Sequence, residues 1–512
     1  MKSIIPLATA LLCNAALAAS PQIPKTWDDA EMRKLELPLA DPAVSRAHAP
    51  ADYYYRIPVR PIFKSYPVYH PEKEPAGYFE GLHKLKPELL WDDKGTRPRL
   101  DSEAEWIAAG ELVFDAPIIF AGGGRLGPSM ATNVFVRDPK WYAETGAPIT
   151  RDGVLPFYRY IVREPSKVEV GTLSCAMCHT RIMPDGSVIK GAQGNFPFGK
   201  AFAYDMREAG AIEPAFRGML HGLYSAPWLQ PDPQAKFDAS AFHEIAEAIA
   251  SVPPGVLTRH GSGISSPVQV PDLIGVKMRQ YLDRTGLQRH RGLADLMRYA
   301  ALNQGLDRAT TYNGRLVSGQ EQREPPEQFF EQRYSDEQLY ALTKYVYALK
   351  APPNPNLPKT SAERKLVNRG RDIFMDANNR CATCHDPKQG YTNNKLVAAP
   401  SFQVPADHPD GERIIRQRVN TDPELTLTTR RGTGLYKVPS LLGVWYRGPF
   451  EHSGSVATLE DWFDSRRLRD DYVPTGWKGT PGTKTRAVKG HEFGLDLSTE
   501  DRKALIAFLK TL

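Results

Sequence analysis

Cys175-Ala176-Met177-Cys178-His179 is one of two stretches of the same form, the other being Cys381-Ala382-Thr383-Cys384-His385. Both read C-x-x-C-H, the spacing of c-type haem attachment. Each cysteine adds its sulfur across a vinyl group of the porphyrin, and two intervening residues let both thioethers reach one porphyrin edge. The histidine that follows is then placed to reach the iron as proximal ligand. Two other chemistries use C-x-x-C. A thioredoxin-type redox pair sits near a βαβ pattern, which the sequence does not show. A four-cysteine zinc site would have to join pairs about two hundred residues apart, and neither chemistry calls for a histidine after each pair. The expected cofactors are two covalent c-type haems, held by Cys175, Cys178, Cys381 and Cys384, with His179 and His385 on the irons.

The remaining cysteine bears on the compartment. The 512 residues contain five cysteines, and the fifth, Cys13, lies in the opening MKSIIPLATALLCNAALAAS. Lys2 is a charged n-region, the apolar stretch is too short to span a bilayer, and Ala16-Leu17-Ala18 fits a small-residue cleavage site. Residues 1–18 are therefore expected to be a cleaved signal peptide. Leu11 and Leu12 are poor neighbours for a lipoprotein reading of Cys13. The mature chain would have no disulfide and no free thiol, although a periplasmic or secreted location permits disulfides. No later apolar run is long enough for a transmembrane anchor. A hydrophobic content of 41% allows ordinary globular cores, and a net charge of +6 without a long basic run argues against a nucleic-acid partner.

The expected fold class is mainly α, with two class I cytochrome c-like domains, long loops and an irregular N-terminal extension. Residues 19–100, rich in Pro, Tyr and charge, form that extension, with Tyr53, Tyr54 and Tyr55 as cladding. The first haem domain is expected at 101–350 with large insertions, a Pro-rich linker at 351–364, and the second haem domain at 365–512. A weak internal repeat motivates the division: Ala109-Gly110-Glu111-Leu112-Val113-Phe114 resembles Arg369-Gly370-Arg371-Asp372-Ile373-Phe374. Each reads as a first helix in which Gly permits close crossing and Phe packs inside. Each unit also ends on an amphipathic helix, the two starting at the N-caps Ser335 and Ser498. Strand signals are short and scattered.

The run Val438-Pro439-Ser440-Leu441-Leu442-Gly443-Val444-Trp445-Tyr446-Arg447-Gly448-Pro449-Phe450-Glu451-His452-Ser453-Gly454-Ser455-Val456-Ala457-Thr458-Leu459 is the most family-specific. It resembles the PSL…PF-x-H-x-GS-x-x-TL signature of bacterial di-haem cytochrome c peroxidases and the related MauG enzymes. The long N-terminal part and Gly490-His491-Glu492-Phe493-Gly494 are more similar to the di-haem rubber-oxygenase-like branch. The resemblance is strongest over 365–512. It implies two haems with divided labour: one iron meets peroxide or dioxygen, and the other relays or stores electrons.

A methionine census bears on the second iron. None of the ten Met residues follows Cys384, so the downstream Met ligand of a class I cytochrome is missing. The downstream histidines are His408, His452 and His491. In the rubber-oxygenase-like branch the sixth ligand is a late His, and His491 matches that place, giving His385 and His491 as the expected pair. The resemblance puts His452 beside the haem, off the iron, and leaves Tyr436 or Tyr446 as ligands of the MauG kind. Bis-His ligation would make a low-potential carrier closed to small ligands. Above His179 the candidates are Met183, Met206, Met219, Met278, Met297, His221, His243, His260 and His290, and an open iron is the leading reading. Trp445, with Tyr446, is a candidate electron relay between the haems, set against simple core packing.

Two functions follow. One is an exported di-haem oxidoreductase of peroxidase or oxygenase type, taking peroxide, dioxygen or an organic substrate and exchanging electrons with a small redox protein or another donor or acceptor. The other is a non-catalytic electron-transfer cytochrome with both haems six-coordinate. The size of the first unit favours the enzyme, since a carrier needs little more than about a hundred residues per haem.

Overall fold

Two helix crossings, built alike, frame the molecule. The computed structural model describes residues 21–120, 135–208, 213–232, 234–258, 261–263, 266–316, 332–415, 419–479 and 482–512. The expected signal peptide with Cys13, and His260, lie outside them, and the Met219 side chain is likewise not described. The first crossing joins α1 (Glu103–Asp115) to α3 (Asp336–Ala348), with the single-turn helix α2 (Cys175–Cys178) between them in sequence. The second joins α4 (Ser361–Met375) to α6 (Thr499–Leu509), with α5 (Cys381–Cys384) between them. Hydroxyl N-caps start the four crossing helices: Ser102, Ser335, Thr360 and Ser498 each accept a hydrogen bond from the backbone three residues on.

Each crossing turns on one glycine. A methyl group on Gly110 would overlap the carbonyl oxygen of Ala341 and meet Tyr345 Cβ at 2.7 Å. On Gly370 it would overlap the carbonyl oxygen of Ala504 and meet Phe508 Cβ at 2.8 Å. Four residues on, Phe114 packs on Tyr345 at 5.2 Å between ring centres, and Phe374 on Phe508 at 5.4 Å. The weak sequence repeat thus encodes a repeated helix contact. We expect Gly110→Ala and Gly370→Ala each to cost about 1–3 kcal/mol through overpacking, read as a lower urea midpoint. Gly81→Ala, where nothing lies within 4 Å, serves as control and should be neutral or slightly stabilising.

The expectation of a mainly α chain made of two cytochrome c-like domains is overturned: helix accounts for 36% of the structure and strand for 14%. The largest sheet has strands β1 (Ser65–Tyr69), β2 (Ile119–Phe120), β3 (Val154–Glu164) and β4 (Lys167–Thr172) in the order β1-β3-β4-β2, antiparallel throughout. β3 and β4 form a hairpin that turns through Ser166 at a φ of 64°. The reason the hairpin escaped a periodicity reading is its burial. Leu155, Phe157, Tyr158, Tyr160, Ile161 and Val162 are all buried, so β3 has no clean inside–outside alternation. Its inner side chains cluster with Met177 of α2, so the sheet backs the first C-x-x-C turn.

The irregular N-terminal extension is corrected as well. Residues Asp29–Leu35 and Ala51–Arg56 are helical, and β1 is an edge of the main sheet. Trp27 stacks on Tyr54 at 4.7 Å, and Tyr53, Tyr54 and Trp91 are buried in the same core as the α1–α3 crossing. The segment is part of the core rather than cladding over it.

In the later part of the chain β5 (Leu396–Ala398) lies between β6 (Ile414–Ile415), parallel to it, and β7 (Leu435–Lys437), antiparallel. Residues 349–360 have no regular secondary structure. A buried ionic network ties residues 283–307 to 430–431: Arg430 pairs with Asp307, and Arg431 with Asp283 and Asp307 at 3.0 Å each. Among the described residues no helix is long and apolar enough to cross a membrane.

Candidate functional site

Each C-x-x-C segment is one helical turn, which puts residues i and i+3 on one face and so turns both thiols the same way. In α2 the Ser174 side chain caps the start by accepting from the Met177 N–H at 3.1 Å. At both C-termini the following histidine closes the turn: His179 N–H donates to Cys175 O and His385 N–H to Cys381 O, each at 2.9 Å. Burial pushes the Cys175 thiol up to about 11, Cys178 to about 12 and Cys381 to about 11, and it raises Cys384 too. A redox-active pair needs the opposite shift, towards thiolate. Among the described residues no three His, Cys, Asp or Glu side chains converge as a metal-ligand group, so the two cysteine pairs do not assemble a shared zinc site.

The two histidines are held alike at Nδ1. His179 Nδ1 lies 3.0 Å from the Pro271 carbonyl oxygen, and His385 Nδ1 lies 3.0 Å from that of Tyr391. A carbonyl only accepts, so Nδ1 carries the proton in both rings, and Nε2 keeps its lone pair. Burial lowers both imidazoles to about 4, so both are neutral. A neutral ring with Nδ1–H fixed by a carbonyl is the form that ligates a metal through Nε2. The Pro271 and Tyr391 carbonyls were invisible to sequence reasoning, because a backbone acceptor leaves no residue-type signal.

His491 comes to His385. Their ring centres lie 6.3 Å apart with planes at 58°. An axial nitrogen about 2 Å from a metal on each side, with each ring centre about 1 Å further back, gives a separation of about 6 Å, so one iron fits between the rings. The His491 Nδ1 is buried without a hydrogen-bond partner among the described residues, and burial lowers the ring to about 3. Trp462 and Phe493 flank it at 5.1 and 5.2 Å. The loop that presents it is clamped by Arg467, only 1% exposed, whose guanidinium donates to the carbonyls of Val488, Gly490 and His491. Arg467 is a positioning residue without a sequence motif, and the late glycine-flanked histidine was the only legible sign of the loop.

The other sequence candidates fall elsewhere. His452 contacts Glu451 through Nδ1 and stacks on Tyr436 at 4.9 Å. Burial raises the Glu451 carboxyl, but the His452 ring and the Ser453 hydroxyl outweigh it and hold the group at about 2. The hydroxyl of Tyr436 donates to Asp422 O at 2.6 Å and that of Tyr446 to the Asp272 carboxylate at 2.8 Å. His408 accepts from the Asp410 N–H at 3.2 Å. Trp445 packs with Met183, Ile189, Ala192, Ile274 and Tyr446, bringing residues of the later part of the chain onto the hairpin that follows α2. Above His179 the picture differs from that above His385. Among the described residues no second imidazole pairs with its ring. Met206 and Met297 are packed in cores, Met278 is exposed, His221 pairs with Asp238, His243 is exposed, and His290 is bound at both nitrogens by Arg279 O and Tyr347 Oη.

No protein-family model and no curated protein matches the chain. Among solved structures it is similar to Kuenenia stuttgartiensis hydrazine synthase, with 17% identity and a TM-score of 0.30 over 59% of this chain and 88% of that one. It is also similar to a MauG-like protein associated with microbial copper homeostasis, with 18% identity and a TM-score of 0.22. That match covers 35% of this chain and 56% of the other.

Proposed function

We propose that the chain is an exported oxidoreductase of the di-haem peroxidase and MauG group, with one c-type haem on Cys175, Cys178 and His179 and another on Cys381, Cys384 and His385. One observation carries the reading. Both histidines are locked at Nδ1 by a carbonyl, and among the described residues only His385 has a second imidazole facing it at the separation of a shared metal. When bound, haem supplies one-electron transfer and, where its sixth position is open, peroxide or dioxygen chemistry. The residues divide that labour. His491, clamped by Arg467, closes the His385 side to small ligands. The His179 side keeps a place for peroxide, dioxygen or an organic substrate. The packing of Trp445 against Ile189 and Ala192 supports a relay position between the two sides, with a small redox protein or another donor supplying electrons.

The test is the purified ferric protein. Haem content should be two per chain and resist acid extraction. Electron paramagnetic resonance should show one low-spin bis-His signal and one high-spin signal. Absence of covalent haem would refute the reading. Two low-spin signals in the ferric protein, with the one signal left after one-electron reduction still low-spin, would instead favour an electron-transfer cytochrome.

A further inference from the structure

A narrow cleft opens between the two C-x-x-C-H units, lined by Pro271, Arg279, Arg284, Lys437, Pro439 and Arg447 among others. Pro271 is the residue whose carbonyl holds His179, and Thr392, next to the Tyr391 that holds His385, is also on its wall. Its four cations have no carboxylate partner among the described residues. Arg279 donates to the carbonyls of Asp272 and Ile274, Arg284 to the carbonyl and side-chain oxygen of Gln269, and Arg447 to the carbonyl of Ser440. Among the described residues the Arg447 Nε is buried without a hydrogen-bond partner, and Lys437 Nζ forms no ion pair. The carboxylate on the wall, Asp272, is already taken by the Tyr446 hydroxyl and the Ile274 N–H. Arg430 and Arg431, buried elsewhere in this chain, are paired with aspartates. Burial holds Arg279 below its ordinary range, Arg284 down at about 10 and Lys437 well below the usual lysine range. Asp272, Asp283 and Glu451 act on these cations from a distance, but each is in contact with another group, Asp272 with Tyr446, Asp283 with Arg431 and Glu451 with His452, so the wall keeps an excess of positive charge.

We propose that the cleft is an oxyanion site that takes the carboxylate arms of the two tetrapyrroles, a proposal that rests on the di-haem reading above. The chemistry favours that source. In a c-type haem the thioether edge and the two carboxylate arms lie on opposite sides of the ring. Cofactors pinned at Cys175–Cys178 and at Cys381–Cys384 therefore point their acidic arms away from the cysteines, and the cleft lies between the two histidine clamps. Guanidinium forks match carboxylates with two parallel hydrogen bonds. Lys437 and Arg284, from opposite parts of the chain, would then join both cofactors to one charged floor.

Lys437→Met and Arg284→Gln in the full mature chain test this, with haem content by mass, resonance Raman spectra of the porphyrin carboxylate bending modes, and both midpoint potentials. Lys437 is partly buried, and Met keeps its aliphatic stem and packing while removing the charge. Both variants should keep two haems, shift the bending modes, and lower the midpoint potentials, because an uncompensated carboxylate favours the oxidised iron. Lys437→Arg should restore the modes. Full haem content with unmoved modes in both variants would overturn the proposal and leave the di-haem reading intact. A wild-type melting temperature that rises with added sulfate at fixed ionic strength, and no longer does so in Lys437→Met, would assign the cleft to a free anion and also overturn it. A wild-type chain without covalent haem would remove both readings together.

Discussion

The protein in which Cys381 and Cys384 are both replaced by alanine is expected to carry one haem instead of two. Intact mass and haem absorbance should both report the loss of half the cofactor, and Cys175→Ala with Cys178→Ala should give the mirror result. The expectation follows from locality. Each attachment segment is a single turn closed by its own histidine, and each sits against its own helix crossing. Cys175 and Ala176 belong to the core of α1 and α3, while Cys381 and Ala382 pack on the core of Phe374, Val444, Leu459 and Phe508. A cofactor bound by the folded state stabilises the part that holds it, so the vacant side should loosen while the loaded side stays protected. Limited proteolysis should therefore cut first around α4–α6 in the Cys381/Cys384 variant and around α1–α3 in its mirror. Retention of both haems in either variant would refute attachment at that pair. Loss of both haems in both variants, with the unmutated side still resistant to protease, would refute independent attachment.

The two C-x-x-C-H turns were legible because residue type and spacing are fixed within five consecutive residues. Gly110 and Gly370 were legible for a related reason: only glycine fits where one helix backbone meets another, so the repeat survived as six weakly similar residues. His491 could be picked out as a late histidine, but its approach to His385 depends on Arg467, which reads as any surface arginine until its carbonyl partners are in place. The fold class failed where long-range pairing decides. β1 and β3 are separated by a long stretch of sequence, and a strand whose buried residues do not alternate with exposed ones carries no period that a sequence reading can count. The N-terminal tyrosines misled in the same way. Their aromatic, Pro-rich setting reads as covering loop, yet Tyr54 is 1% exposed and stacked on Trp27. The cationic cleft was also beyond reach, because Arg279, Arg284, Lys437 and Arg447 meet only once both parts of the chain have folded.

Replacing His491 by alanine should open the second iron. The His385 haem, low-spin in the wild type, is expected to become high-spin, either five-coordinate or water-bound, and its potential should move, while the haem on His179 is unchanged. The structure makes this substitution clean. Arg467 grips the loop through backbone carbonyls, which alanine leaves in place, so the loop should keep its course without the imidazole. One cost needs separate control: His491 sits at a φ of 49°, a left-handed conformation that costs a residue with Cβ about 1–2 kcal/mol. His491→Gly removes the ligand and relieves that strain, so any spectral change shared by both variants belongs to the lost ring. Added imidazole should bind the space between Trp462 and Phe493 and return the low-spin spectrum. An unaltered spectrum in both variants would assign the sixth position to another group. The hydroxyls of Tyr436 and Tyr446 are already committed to Asp422 and Asp272, and His452 to Glu451, so any of them would first have to break its present contact to reach the iron.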